Sequence, residues 1–265
     1  MRAIKDKWIM ERMFGFKKRR RKRLAARPFP DEWLAIISRN VPFYSRLTAG
    51  DQRELQHHIL IFIAEKHFEG CRGLQITDEI KVTIAAQACI LLLHRETDYY
   101  PGLPSILVYP CSYVAHDVQR FVGGVLMEGP EERLGESWHH GSVVLSWDDV
   151  RCGTADVHDG HNVVLHEFAH QLDSSGGKGD STPVLESSST YIAWARILQK
   201  DYERLQYEVS HDRHTLLDEY GAVDPAEFFA VATEHFFEKP KELQRIHPEL
   251  YQELKRFYQQ DPASL

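Results

Sequence analysis

Val163-Val-Leu-His-Glu-Phe-Ala-His-Gln-Leu172 is the stretch on which the fold and chemistry of this chain turn. Apart from His166, Glu167 and His170 it carries no ionisable group, and its Val and Leu residues recur at helical spacing. Four residues make about one helical turn, so His166 and His170 project from one face with Cβ atoms about 6 Å apart. Their imidazoles can converge on one Zn²⁺ at about 2.0–2.1 Å. Glu167 lies about 100° further round the helix, placed to touch a water beside the metal rather than the ion itself. The plainer reading, two packed core histidines, leaves a carboxylate and two imidazoles buried without compensation, which is costly.

A catalytic zinc takes three protein ligands and keeps one position open. The elongated H-E-x-x-H-x-x-G-x-x-H pattern needs glycine at 173 and histidine at 176, where this chain has Asp173 and Gly176. The third ligand is therefore a carboxylate from Glu186, Asp218, Glu219, Glu227 or Glu234. Glu227 stands out because residues 225–233 are otherwise uncharged. Yet Asp224 as N-cap, Pro225 at N1 and Glu227 at N3 make a capping box that employs the same carboxylate without a metal. The residues leave these two readings level. Glu234, one heptad on, is either the ligand or an acceptor for an imidazole N–H, and Asp173, one turn after His170, is another such acceptor.

Working outward, the C-terminal side reads as four helices, at about 160–173, 188–208, 225–238 and 248–259, with a Gly/Ser-rich loop from Ser174 to Ser181. On the N-terminal side, Thr48 with Asp51 caps a helix carrying Leu55, Ile59, Phe62 and Ile63, and a second helix follows Thr77. Between these halves Ser105–Tyr109, Gly124–Met127 and Ser142–Trp147 are short β-rich runs. The expected class is α+β: a small sheet, an N-terminal helical part and a helix-rich C-terminal half.

Charge divides the chain unevenly. Residues 1–27 hold twelve Lys/Arg against Asp6 and Glu11, a balance of +10, while the remainder sums to −17 of the overall −7. The run Lys17–Arg23 reads as part of a solvated, disordered arm over residues 1–27, with the ordered domain spanning 28–265. Binding of nucleic acid or an anionic membrane by that run is a weaker reading. There is no run of about 18 apolar residues to span a membrane and no apolar stretch after the basic segment to act as a secretion signal, so a cytoplasmic protein is expected. Cys71, Cys89, Cys111 and Cys152 are scattered without a C-x-x-C pair, which leaves any metal to His and carboxylate. The adjacent pairs His57-His58 and His139-His140 cannot chelate from one helix face, and His158 and His161 read as loop or capping residues close to the motif.

With His166-Glu-Phe-Ala-His-Gln-Leu-Asp173, Asp224-Pro-Ala-Glu-Phe-Phe-Ala230 and Phe257-Tyr-Gln-Gln-Asp-Pro262 in view, the chain resembles the MtfA family of zinc peptidases, the Mlc titration factor A or DgsA anti-repressor proteins, from about Pro28 to Pro262. The resemblance implies a zincin-like (gluzincin) fold, one Zn²⁺ held by His166, His170 and Glu227, and aminopeptidase-like action on small peptides. It also implies a partner of the Mlc repressor type in the control of glucose uptake. Through the related catalytic domain of anthrax lethal factor, where a tyrosine stands seven positions before the liganding glutamate, it implies a catalytic role for Tyr220, whose alternative is an ordinary packed aromatic. The long basic arm departs from the family pattern and puts the repressor partnership in question, not the metal chemistry. The expected reaction is amide hydrolysis with Glu167 as general base. The rival is a repressor-sequestering protein with a structural zinc, against which the presence of Glu167 argues.

Overall fold

The structure, a computed structural model, describes residues 15–111, 113–122, 125–133, 135–138, 141–174 and 188–265. Its main sheet has four strands in the order β1 (His67–Gly70), β2 (Ser105–Tyr109), β6 (Ser142–Ser146), β5 (Gly135–Trp138). The first three run parallel, and β5 closes one edge antiparallel to β6. Parallel neighbours need a crossover, and helix α5 (Asp78–Ile90) supplies the one from β1 to β2. Ile106, Val108, Val143 and Leu145 are fully buried in the two central strands. A separate antiparallel pair, β3 (Tyr113–Val122) and β4 (Val125–Arg133), shifts register between Ala115 and Val118.

The other helices are α1 (residues 15–25), α2 (Asp31–Asn40), α3 (Phe43–Arg46), α4 (Ala49–Glu65), α6 (Trp147–Ala155), α7 (Val163–Ser174), α8 (Ser188–Ser210), α9 (Pro225–Glu238), α10 (Pro240–Ile246) and α11 (Pro248–Tyr258). Thr48 and Thr77 cap α4 and α5 by accepting the backbone N–H of Asp51 and Ile80. Prolines open α9, α10 and α11, where their missing N–H costs nothing and their fixed φ suits the first turn.

Helix α9 is the centre of the molecule. Every residue from Glu227 to Glu238 is buried, as a helix that is apolar nearly all round requires. Phe228, Phe229, Phe236 and Phe237 pack into an aromatic cluster with Trp194, Tyr202, Tyr251, Phe257 and Tyr258. Burying each such ring is worth about 1.5–3 kcal/mol. The turn into α7 passes so close to α9 that a Cβ on Gly160, at φ +83°, would lie 2.7 Å from His235 Nε2. That position needs glycine for space and for conformation alike.

The α+β class is as expected, and no helix among the described residues is long and apolar enough to cross a membrane. Two expectations differ from the structure. Residues 15–25 of the supposed disordered arm form α1, with Leu24 buried. Arg21 forks onto Glu65 at 2.9 and 2.7 Å and reaches Asp98 at 2.7 Å, Lys17 also pairs with Asp98, and Arg20 donates to the Ala64 carbonyl. Helix α1 is anchored because its charges meet partners 44 and 77 residues away, which a local charge count does not register. Residues 1–14 lie outside the described set, as does Gly124 of the expected run ahead of Met127. Trp147, expected to end a strand, begins α6, because the Ser146 side chain caps a helix there by accepting from Asp149 N–H.

Candidate metal centre

Two capped helices build the site. Asn162 precedes α7, and its Oδ1 accepts the Leu165 N–H at 3.1 Å. Asp224 precedes α9 and accepts from the N–H groups of Ala226 and Glu227 at 2.9 and 3.0 Å. Asp224 therefore caps as the sequence predicts, but the Glu227 carboxylate faces α7. Its Oε2 lies 3.0 Å from His166 Nε2 and 3.3 Å from His170 Nε2, while the two imidazole nitrogens are 3.2 Å apart. These atoms form a near-equilateral triangle. Ligands about 2.0–2.1 Å from a tetrahedral zinc are about 3.3–3.4 Å from one another, so two imidazoles and a carboxylate at this spacing fit that ion.

The electrostatics follow from the same arrangement. Burial opposes ionisation of Glu227, yet His166 and His170 outweigh it and hold the carboxyl well below the usual carboxylate range. Burial likewise disfavours charge on His166, but Glu234, Glu227 and Glu167 raise its pKa well above that of a free imidazole. A site that attracts positive charge this strongly is suited to a cation.

Around the triangle, His166 Nδ1 faces Glu234 Oε2 at 3.1 Å, and Glu234 Oε1 accepts the Asn162 N–H at 2.8 Å. Glu234 thus orients an imidazole, one of its two predicted roles. Tyr220, on a 3₁₀ turn (Glu219–Ala222) and 42% exposed, donates its hydroxyl to Glu227 Oε1 at 3.2 Å. Glu167 is buried and acts electrostatically on His166. Asp173 is buried, and loss of solvent, with Asp224 adding to it and His170 opposing, pushes its pKa up to about 6.

The remaining candidates lie elsewhere. Asp218 caps the 3₁₀ turn and faces His161 at 3.7 Å, Glu219 is exposed, and Glu186, His139 and His140 lie outside the described residues. His57 and His158 are exposed, while buried His58 meets the Tyr99 hydroxyl at 2.7 Å. A second His/carboxylate group, Asp51, Glu54 and His94, is an ion pair. His94 Nδ1 faces the Gln259 carbonyl at 3.0 Å and Nε2 faces Asp51 at 2.8 Å, contacts that raise the imidazole pKa against partial burial. Sequence reasoning missed Asn162, whose signal was an Asn directly ahead of the apolar helical run.

Comparison with known proteins gives this geometry a context. The family model described as glucose-regulated metallo-peptidase M90 matches residues 16–259, which places the chain among the metallopeptidases. An uncharacterised protein of Synechocystis, slr2042, is 40% identical over 92% of this chain and 89% of its own length. The Mlc titration factor A proteins of Serratia proteamaculans and Klebsiella pneumoniae are 34% and 31% identical, each over 84% of this chain and 86% and 84% of their own. The chain belongs to the M90 family, that of Mlc titration factor A. The match begins inside α1, in accord with the docking of that helix on the domain.

Proposed function

We propose that the chain is a zinc-dependent peptidase of the gluzincin type with aminopeptidase-like action, working in the cytoplasm. His166, His170 and Glu227 would hold the ion, and the observation that carries the reading is the 3.0–3.3 Å triangle of their donor atoms. When bound, zinc supplies the Lewis acidity that activates a water and polarises the scissile carbonyl. Glu167 takes the proton of the attacking water and returns it to the leaving amine. Glu234 fixes the His166 ring through Nδ1, so that Nε2 stays turned towards Glu227. The Tyr220 hydroxyl, already at the site on Glu227, donates to the oxyanion that forms on the carbonyl.

The name shared by the relatives supports a second role, binding of an Mlc-like repressor, with a structural zinc as the limiting non-catalytic form. Glu167→Gln separates the two. The variant should retain about one zinc per chain by elemental analysis and lose about 10²–10⁴-fold in hydrolysis of aminoacyl and peptide chromogenic substrates. Wild type without zinc, or a variant with undiminished hydrolysis, would overturn the catalytic reading.

A further inference from the structure

Helix α1 sorts its cations by face. Residues 15–27 hold eight Lys/Arg and no Asp or Glu. Lys17, Arg21 and Leu24, at i, i+4 and i+7, share the side that docks: the two cations reach Glu65 and Asp98, and Leu24 is buried. Lys18, Arg19, Lys22 and Arg23 fall about 160° away around the helix axis, and all four are exposed. Among the described residues the ion pairs of α1 are those of Lys17 and Arg21 alone. The outward face therefore keeps four cations without a counter-charge.

The make-up of that face says what it fits. Lys18 with Lys22 and Arg19 with Arg23 are like-charge pairs one turn apart, an arrangement that opposes the helix in water and that a negative surface relieves. The four cations span a rise of about 7.5 Å, which makes a compact patch of charge. Phe16 stands three residues before Arg19 and seven before Arg23, so it borders the same face. It is 64% exposed, the highest value for a large hydrophobic side chain among the described residues. An aromatic ring in water beside Lys and Arg stems is the composition of a helix lying in a membrane interface, with the ring among the headgroups and the cations on the phosphates. A nucleic-acid duplex would engage the cations but leave the ring in water, and α1 has no Asn, Gln, Ser or Thr to read a base edge.

We propose that the outward face of α1 is a docking surface for a bilayer rich in anionic lipid, and that it holds the domain there as a peripheral protein. The two faces of the helix divide the work. The inward face ties α1 to the end of α4 through Glu65 and the Ala64 carbonyl, so contact at the membrane is passed to the folded domain and not to a loose tether. Residues 28–265 sum to −17 and are repelled by the same surface, which confines the contact to α1. Each cation brought to an anionic bilayer strengthens binding about fivefold.

The test is flotation of the full chain with phosphatidylcholine vesicles, with and without phosphatidylglycerol, alongside anisotropy with labelled duplex and single-stranded oligonucleotides. Three proteins are compared: wild type, Phe16→Ala, and a variant combining Lys18→Gln, Arg19→Gln, Lys22→Gln and Arg23→Gln. Wild type should bind the phosphatidylglycerol vesicles and not the neutral ones, with affinity falling as salt rises. The four-cation variant should lose about 10²–10³-fold in vesicle affinity and Phe16→Ala about tenfold, with denaturant midpoints no lower than that of wild type. Equal binding to neutral and anionic vesicles, or vesicle affinity unchanged in either variant, would overturn the proposal. So would oligonucleotide binding tighter than vesicle binding and lost in the four-cation variant, which would give the face to nucleic acid. No readout involves hydrolysis or zinc, so failure here is distinct from failure of the peptidase reading.

Discussion

The two ends of α9 hold the same residue type in nearly equal burial and treat it oppositely. Glu227, at the first turn, faces two imidazoles and is driven towards the carboxylate form. Glu238, at the last turn, has no cationic partner: burial, reinforced by Glu234 and Asp159, drives it towards the neutral acid against hydrogen bonds from the Asn162 amide and the Gly160 backbone. Glu234 between them touches both worlds, with one oxygen on His166 and the other on the Asn162 N–H. Burial pushes both carboxyls the same way, so it is not what separates them. The sign of their partners separates them, and one helix carries both outcomes eleven residues apart.

Three substitutions along this helix bear on that contrast. Glu227→Ala has the largest expected effect: zinc content should fall from about one per chain to near zero, with hydrolysis lost alongside. Zinc retained in that variant would reduce the first-turn carboxylate to a helix-capping residue and remove one pole of the comparison. Glu234→Gln should weaken zinc binding about 10–100-fold in competition with a chelator, because the imidazole loses the acceptor that fixes its orientation. Unaltered affinity would make Glu234 a packing residue between α7 and α9.

The remaining effect, on stability rather than on the metal, is at the other pole, and its sign is set by linkage. The Glu238 carboxyl titrates near 8 in the folded chain and near about 4.3 when unfolded, so the native state binds its proton more tightly. Its contribution to stability is present in full below about pH 4 and is lost as pH rises towards 8. Glu238→Gln abolishes that loss. Denaturant unfolding at pH 5, 7 and 9 should show the variant gaining on wild type by at most about 1.4 kcal/mol per pH unit up to pH 8. Parallel stability curves would mean that Glu238 is ionised at neutral pH.

Much of this was legible in the chain because local rules decided it. Thr48, Thr77 and Asp224 announced the starts of α4, α5 and α9, and the apolar spacing around His166 announced α7. The role of Glu227 was not legible from the residues alone. A glutamate at N3 serves a cap or an imidazole equally well, and only the approach of α7 to α9 turns it to the latter. Nor could α1 be read, since seven consecutive cations look solvated until Glu65 and Asp98 are folded against them. Asn162 and Glu238 escaped for a similar reason, being joined across 76 residues.

The anchoring of α1 also bears on how the chain comes into being. Its basic residues are made first, but Glu65 is added 44 residues after Arg21 and Asp98 a further 33 later. At about 5–20 residues per second, Arg21 waits roughly 4–15 seconds on the ribosome before both acids exist. During that interval the segment carries its charges without those partners, and its docking on α4 cannot precede the synthesis of Glu65.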